Sequence, residues 1–317
     1  MISGIETAAA EAERSRTTSR GPGDAALARA IVQAVAYADV FEYPLTADEI
    51  HRYLIGVTAS RGAVRAALDT PRLVPEVLSR SGRYFTLAGR GSAVDTRRSR
   101  AASAAEYWRR GVRYGHQIGR LPFVRMVAIT GALAMDNVAD GDIDYLVVTE
   151  PGRLWLCRAL VVGLVRTAAL RGTTLCPNYF LSERALVLSE RNLFTAHEVT
   201  QMVPLIGLET YQRLRALNPW TKTFLPNAGG PPRRIGTVEL SRRRARRLVE
   251  ATLRSRVCGP LEHWEMARKI SKLGQRSSGH AEAAFGPDWC KGHFGDHGQL
   301  TLTRYQERVQ ALEQRDV

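Results

Sequence analysis

The sequence predicts an α/β chain of the α+β kind: a mixed sheet with flanking helices, a small helix-and-hairpin module before it, and a helical region after it. Three observations carry this. Apolar runs at "FVRMVAIT" and "DIDYLVVT" have strand character and bracket a short helical stretch, with a long apolar helix pattern behind them. Ahead of them, three helical patterns are followed by two β-prone runs around Ser81-Gly82. With 317 residues, 44% hydrophobic and 24% charged, the chain has room for two or three ordinary globular units.

Residues 1–24 are small, polar and punctuated by Gly and Pro, without the apolar centre of a signal peptide, so a disordered tail is expected. In residues 25–92, "ALARAIVQAVAYADVF" places Leu27, Ile31, Val32 and Val35 at helical spacing. Thr46 with Glu49 three residues on is a capping-box pattern for a second helix, and Ser60 opens a third. "EVLSRSGRYFTLAG" then predicts a hairpin. Three short helices and a hairpin follow the order of a winged helix. Arg61 and Arg65 on its third helix are placed to meet phosphates or base edges; the alternative is a packing or protein-interaction module.

Residues 93–120 predict one long Ala/Arg-rich linker helix. Its Arg97, Arg98, Arg100, Arg109 and Arg110 are expected on a solvated surface. Residues 121–227 alternate strands and helices. Val124 to Ile129 is a strand, "ALAMDN" a short helix, and Asp142 onward a second strand. Pro151 is expected to start the apolar helix. "TLCPNYFLS" and "ALVLS" are further strands, and "NLFTAHEVTQMVPLIG" is helical with Thr195 as N-cap. "FLPNAGGPPRR" marks a boundary. Residues 233–317 read as a basic helical region.

The formal charge of +14, from 45 Lys+Arg against 31 Asp+Glu, suits phosphate-bearing or polyanionic partners, though an Arg-rich composition bias accounts for it equally well. Four cysteines without CxxC spacing predict free thiols in a reducing cytoplasm rather than a disulfide framework. The apolar run from Leu154 is broken by Arg158 and is shorter than the roughly 20 residues of a membrane span, so a buried helix and no membrane partner are expected.

The chemistry is concentrated in "ITGALAMDNVADGDIDYLVV". Residues two apart on a strand share a face, so Asp142 and Asp144 project together. Two such carboxylates can hold one or two hard divalent cations; without a cation they repel and one pKa rises. Gly131, eleven residues earlier, sits between a strand end and a helix start, where backbone N–H groups approach phosphate closely. A phosphate cradle beside a carboxylate pair is equipment for phosphoryl or nucleotidyl transfer.

This stretch resembles the signature of the DNA polymerase β-like nucleotidyltransferase superfamily. The wider span over about residues 120–227 is similar to a poorly characterised bacterial group of nucleotidyltransferase-domain proteins, and the likeness extends loosely to the N-terminal module. The resemblance implies a mixed-sheet core and Mg²⁺-dependent attack by an acceptor, whose identity it leaves open, on the α-phosphate of a nucleoside triphosphate, with pyrophosphate released. It implies Thr130, Gly131 and Ala132 as the nucleotide-binding turn and Asp142 and Asp144 as metal-binding carboxylates. Two departures stand out. Ala132 replaces the usual Ser, with Thr130 a partial substitute. The family's third carboxylate is not found on the "LCPNYFLS" strand, which carries Asn178. Asn178 is taken as the site residue there, with Glu183, Glu190 and Glu198 as other candidates.

Three further features are weighed. His197-Glu198 is half of a zinc-protease motif, but Gln201 stands where the second His is required. Cys290, His293, Asp296 and His297 have zinc-ligand residue types on a Gly-rich loop. Arg242, Arg243, Arg244, Arg246 and Arg247 form a basic run that could meet nucleic acid or phosphates. A nucleotidyltransferase is the first expectation; a non-catalytic nucleotide-sensing or DNA-binding regulator on the same fold is the second.

Overall fold

The computed structural model describes residues 23–139, 141–233, 235, 244–254, 259–277, 284–291 and 297–314. The expected tail over 1–24 therefore falls almost wholly outside the described residues. The described residues are mixed α/β with two sheets, one of three strands and one of six.

The first helix, α1 (Asp24–Asp39), buries Leu27, Ile31, Ala34 and Val35 at the spacing of one helix face. Strand β1 (Leu45–Thr46) leads into α2 (Ala47–Arg52). The capping box forms as the sequence predicts. Thr46 Oγ1 accepts from the Glu49 N–H, and Glu49 Oε2 accepts from the Thr46 N–H at 2.8 Å. Ser60 caps α3 (Arg61–Leu68) through the Ala63 N–H at 3.1 Å. Strands β2 (Leu78–Ser81) and β3 (Tyr84–Leu87) make the hairpin across Gly82, whose φ of +59° suits a residue without a Cβ. The three-stranded sheet has the order β1-β3-β2.

Helix α4 (Ala93–Gly119) is more than a connector. Gly111, Gly115 and Gly119 recur every four residues and lie against the large sheet. A Cβ at Gly115 or Gly119 would run into Leu205 or Ile206. The close approach lets the Tyr145 hydroxyl donate to the Gly111 carbonyl at 2.7 Å. The expectation of a solvated Arg97 is corrected. Its guanidinium is buried, donates to both carboxylate oxygens of Glu49 (2.9 and 2.7 Å), and lies 4.0 Å from the Tyr43 ring centre. The acid that completes the α2 cap also neutralises this arginine, a pairing that the local charge pattern does not display.

The large sheet is built from β4 (Val124–Ile129), β5 (Asp142–Thr149), β6 (Thr174–Ser182), β7 (Val203–Ile206), β8 (Ala284–Phe285) and β9 (Trp289–Lys291). Its order is β7-β4-β5-β6-β9-β8, with β5 and β6 parallel and the other pairs antiparallel. Between the strands lie α5 (Gly131–Ala134), α6 (Leu154–Ala169), α7 (Leu193–Gln201), α8 (Leu208–Leu217) and α9 (Thr221–Phe224); α10 (Arg244–Leu253), α11 (Gly259–Ser277) and α12 (His297–Glu313) follow. Alternation along β5 divides the core. Ile143, Tyr145 and Val147 pack with residues of α4 and α6, whereas Leu146 and Val148 pack with Val199, Tyr211 and Leu214 of α7 and α8. Asp142 and Asp144 belong to this second face.

Several local expectations change. Pro151 sits in a turn, and α6 begins at Leu154. Its first N–H groups, those of Trp155 and Leu156, donate to the Glu262 carboxylate at 2.8 and 2.7 Å, so a distant acid supplies the cap. "ALVLS" is not a strand. Leu186 and Leu188 bury themselves from an irregular segment held by Asn218, which donates to the Leu186 carbonyl and accepts from the Leu188 N–H. "NLFTAHEVTQMVPLIG" divides into α7 and the edge strand β7. Asn192, not Thr195, is the α7 N-cap; its Oδ1 accepts from the Thr195 N–H at 2.8 Å.

The region after 233 is helical, but it also contributes β8 and β9 to the large sheet. Helix α12 returns to the N-terminal module. Tyr305, Val309 and Leu312 pack on its core, and Arg308 donates to Asp39 at 2.8 Å. Arg242 and Arg243, and the side chains of Arg244, Arg246 and Arg247, lie outside the described residues. Among the described residues no helix is long and apolar enough to cross a membrane.

Candidate metal centre and ligand cavity

The strand β4 ends at Ile129, and the chain turns at Gly131, whose φ is +61°. A Cβ on Gly131 would collide with Oδ2 of Asp144. The Thr130 N–H also donates to the Asp144 backbone carbonyl at 3.1 Å. The glycine turn and the second aspartate are thus in contact, although thirteen positions separate them in the sequence. Along β5 the exposures alternate: Asp142 and Asp144 are partly open, Ile143 and Tyr145 fully buried. The shared face expected from strand geometry is the one observed.

Thr130, Gly131, Ala132, Asp142, Asp144 and Asn178 all line one cavity of about 550 Å³, a volume ordinary for a small-molecule site. Asn178 lies on β6 beside Asp144. Its Nδ2 donates to Asp144 Oδ1 at 2.7 Å, and its Oδ1 accepts from the Cys176 thiol at 2.8 Å. Cys176 was not anticipated. Asp144 pairs with it in the β5–β6 register, and a ligand atom of each of Asp142, Asp144 and Cys176 falls within 4.8 Å of the others. Burial and the two aspartates push the Cys176 thiol up to about 11, so it remains an S–H donor at neutral pH. The oxygen donors of the group are the carboxylates.

Burial, the neighbouring Asp142 and the more distant Glu198 push the Asp144 carboxyl up to about 7. Excess negative charge in a recess is what a divalent cation relieves, and two carboxylates on one strand face with one open side suit a hard, oxygen-seeking ion. The residues therefore fit Mg²⁺.

The three alternative acids separate in space. Glu183 faces Arg125 at 3.8 Å, away from the cavity. Glu190 and Glu198 both line the cavity, but Glu190 is tied to Lys291 Nζ at 2.6 and 2.7 Å. Glu198 projects from α7. Burial pushes its carboxyl up to about 7, with the charge of Lys291 opposing the shift. Of the three acids weighed beside Asn178, Glu198 is the one that lines the cavity without an ion-pair partner among the described residues. A hint was present: an acid one position after a buried residue on an amphipathic helix lies at the edge of the buried face. His197 itself is buried, stacked on Tyr37 at 3.9 Å, with Nδ1 against the Gln201 amide; burial lowers it to about 3, so it is neutral.

The cavity reaches well beyond the carboxylates. Tyr37 of α1, Phe41 in the turn after it and Tyr53 from the N-terminal module line it, as do Phe194 of α7 and His297 and Thr301 of α12. Lys291 is the one Lys or Arg among the described residues that line it. The +14 charge is not concentrated here. Of the zinc-type quartet, Cys290 is buried in β9 and His297 borders the cavity, and His293 and Asp296 lie outside the described residues. Compared with protein-family models, curated proteins and solved structures, the chain finds no match in any of the three.

Proposed function

We propose that this chain is a metal-dependent nucleotidyltransferase, with a nucleotidyltransferase-like sheet domain and an N-terminal winged helix. The observation that carries the reading is the contact of the Gly131 turn with Asp144, beside Asp142, in the wall of a cavity of small-molecule size. Asp142 and Asp144 would hold Mg²⁺. The bound cation would offset phosphate charge and stabilise the leaving pyrophosphate. The chain's own residues do the rest. The Thr130–Ala132 turn brings backbone N–H groups to the phosphates with no side chain in the way, because residue 131 has none. Ala132 provides no hydroxyl. With Lys291 already paired to Glu190, charge neutralisation at the triphosphate depends on the cation rather than on a basic cluster. Asn178 fixes the Asp144 carboxylate through one oxygen and leaves the other toward Gly131.

Titrating the full chain with each nucleoside triphosphate, with and without Mg²⁺, tests this. Cation-dependent binding that Asp142→Asn abolishes supports it; binding that ignores both the cation and Asp142 overturns it.

A second reading, a non-catalytic DNA-binding regulator, is favoured by one observation: Arg61 and Arg65 sit on the solvent-exposed face of α3, with Arg65 engaged only by an exposed Asp48 at 3.3 Å. A salt-dependent gel shift lost on Arg61→Ala and Arg65→Ala would select it.

A further inference from the structure

The cavity has two ends of different chemistry. One is the carboxylate floor of Asp142 and Asp144. The other is apolar and aromatic, with Phe41, Met135 and Phe194 partly open to it and Tyr37 and Tyr53 behind them. Glu198 lines the same cavity, and its charge acts on Asp144 and on Tyr37 alike. The aromatic end is built by the N-terminal module together with α7. The module is held there: Arg52 donates to the carbonyls of Thr200, Gly229 and Gly230 at 3.0, 2.9 and 2.6 Å, Asn137 donates to the Phe41 carbonyl at 3.0 Å, and α12 closes over α1 through Arg308. The wall is therefore a fixed part of the site rather than a separate unit that happens to lie nearby.

We infer that the acceptor is a small, neutral, hydroxyl-bearing molecule with a flat apolar body, bound against the Phe41–Phe194 wall with its hydroxyl at Glu198. This rests on the nucleotidyltransferase reading. Among the described residues the Phe41–Phe194 wall has no charged side chain, so it favours an uncharged body. Its partly open aromatic rings favour a flat one. The cavity is of a size for a small molecule. In the transfer, the acceptor oxygen forms a bond to the α-phosphorus of the nucleoside triphosphate, the bond from that phosphorus to the bridging oxygen breaks, pyrophosphate leaves, and the hydroxyl proton passes to the Glu198 carboxylate. Glu198 thus stands in, from a helix, for an acid that the Asn178 strand lacks.

A nucleobase is also flat and neutral, and the test separates the two sources. Full-length protein is titrated with 2-naphthol, a neutral aromatic alcohol, by its own fluorescence and without nucleotide or cation. Binding is expected to weaken about fivefold in both Phe41→Ala and Phe194→Ala, the loss of one aromatic contact. Phe41 is 39% exposed, so its truncation leaves the core intact, and matching thermal melts check this. Adenosine, guanosine, cytidine and uridine are expected not to compete. Absence of 2-naphthol binding, binding by either variant as tight as that of wild type, or competition by any nucleoside overturns the inference. Because no triphosphate or cation is present, these outcomes are independent of the Mg²⁺ titration that tests the nucleotidyltransferase reading.

Discussion

The amide of Asn178 donates to Oδ1 of Asp144 at 2.7 Å, joining two strands at the one point where the cavity floor carries excess negative charge. The Cys176 thiol orients the amide by donating to its oxygen. A side chain that looked like a missing acid is a positioning donor for an acid that is present.

Removing that donor should loosen the carboxylate without changing its charge. Asn178→Ala is expected to weaken Mg²⁺ or Mn²⁺ binding about tenfold, the scale of losing an outer hydrogen bond to a metal ligand. Calorimetric cation titration reads this directly. Unchanged affinity would show that Asp144 is held by its backbone alone.

Gly131→Ala joins two penalties: a positive φ that residues with a Cβ avoid, and a collision with Asp144 Oδ2. A cost of about 1–3 kcal/mol in stability is expected, with cation-dependent nucleotide binding lost. Denaturant unfolding and nucleotide titration would measure the two effects separately.

The acid pair sets a pH dependence with a definite sign. In the folded chain, Asp144 and Glu198 are each pushed up to about 7, above their ordinary carboxylate range. The native state then binds more protons than the unfolded state between about pH 4 and about pH 7, so their contribution to stability falls as pH rises through that window. Glu198→Gln removes one of the two titrations. Its melting temperature, measured against wild type without cation, should rise by several degrees at about pH 8 and change little at about pH 5. Adding Mg²⁺ at the higher pH should raise the wild-type melting temperature and leave that of Asp142→Asn unmoved.

The Arg97–Glu49 pair predicts a purely structural loss. Arg97→Ala leaves the half-buried Glu49 without its cation and also removes a donor to the Pro44 carbonyl. A destabilisation of about 2–3 kcal/mol is expected from losing charged hydrogen bonds at a partly buried pair, measurable by urea unfolding. An effect below about 1 kcal/mol would mean that water or Thr46 compensates.

Local pattern determined a good deal. The three N-terminal helices, the Thr46 and Ser60 caps and the Ser81-Gly82 hairpin depend on neighbours within a few residues, and so does the shared face of Asp142 and Asp144. Such features follow from hydrogen-bond reach and side-chain period, which a sequence displays. Tertiary structure decided what depends on distant partners. Glu262 caps α6 from more than a hundred residues away, Val203–Ile206 becomes a strand because β4 offers it an edge, and Arg97 goes inside because Glu49 is there. Glu198 reached the cavity for the same reason. One strand face placed the aspartates, but only the packing of α1, α7 and α12 around that face determined which acid and which aromatic rings would surround them.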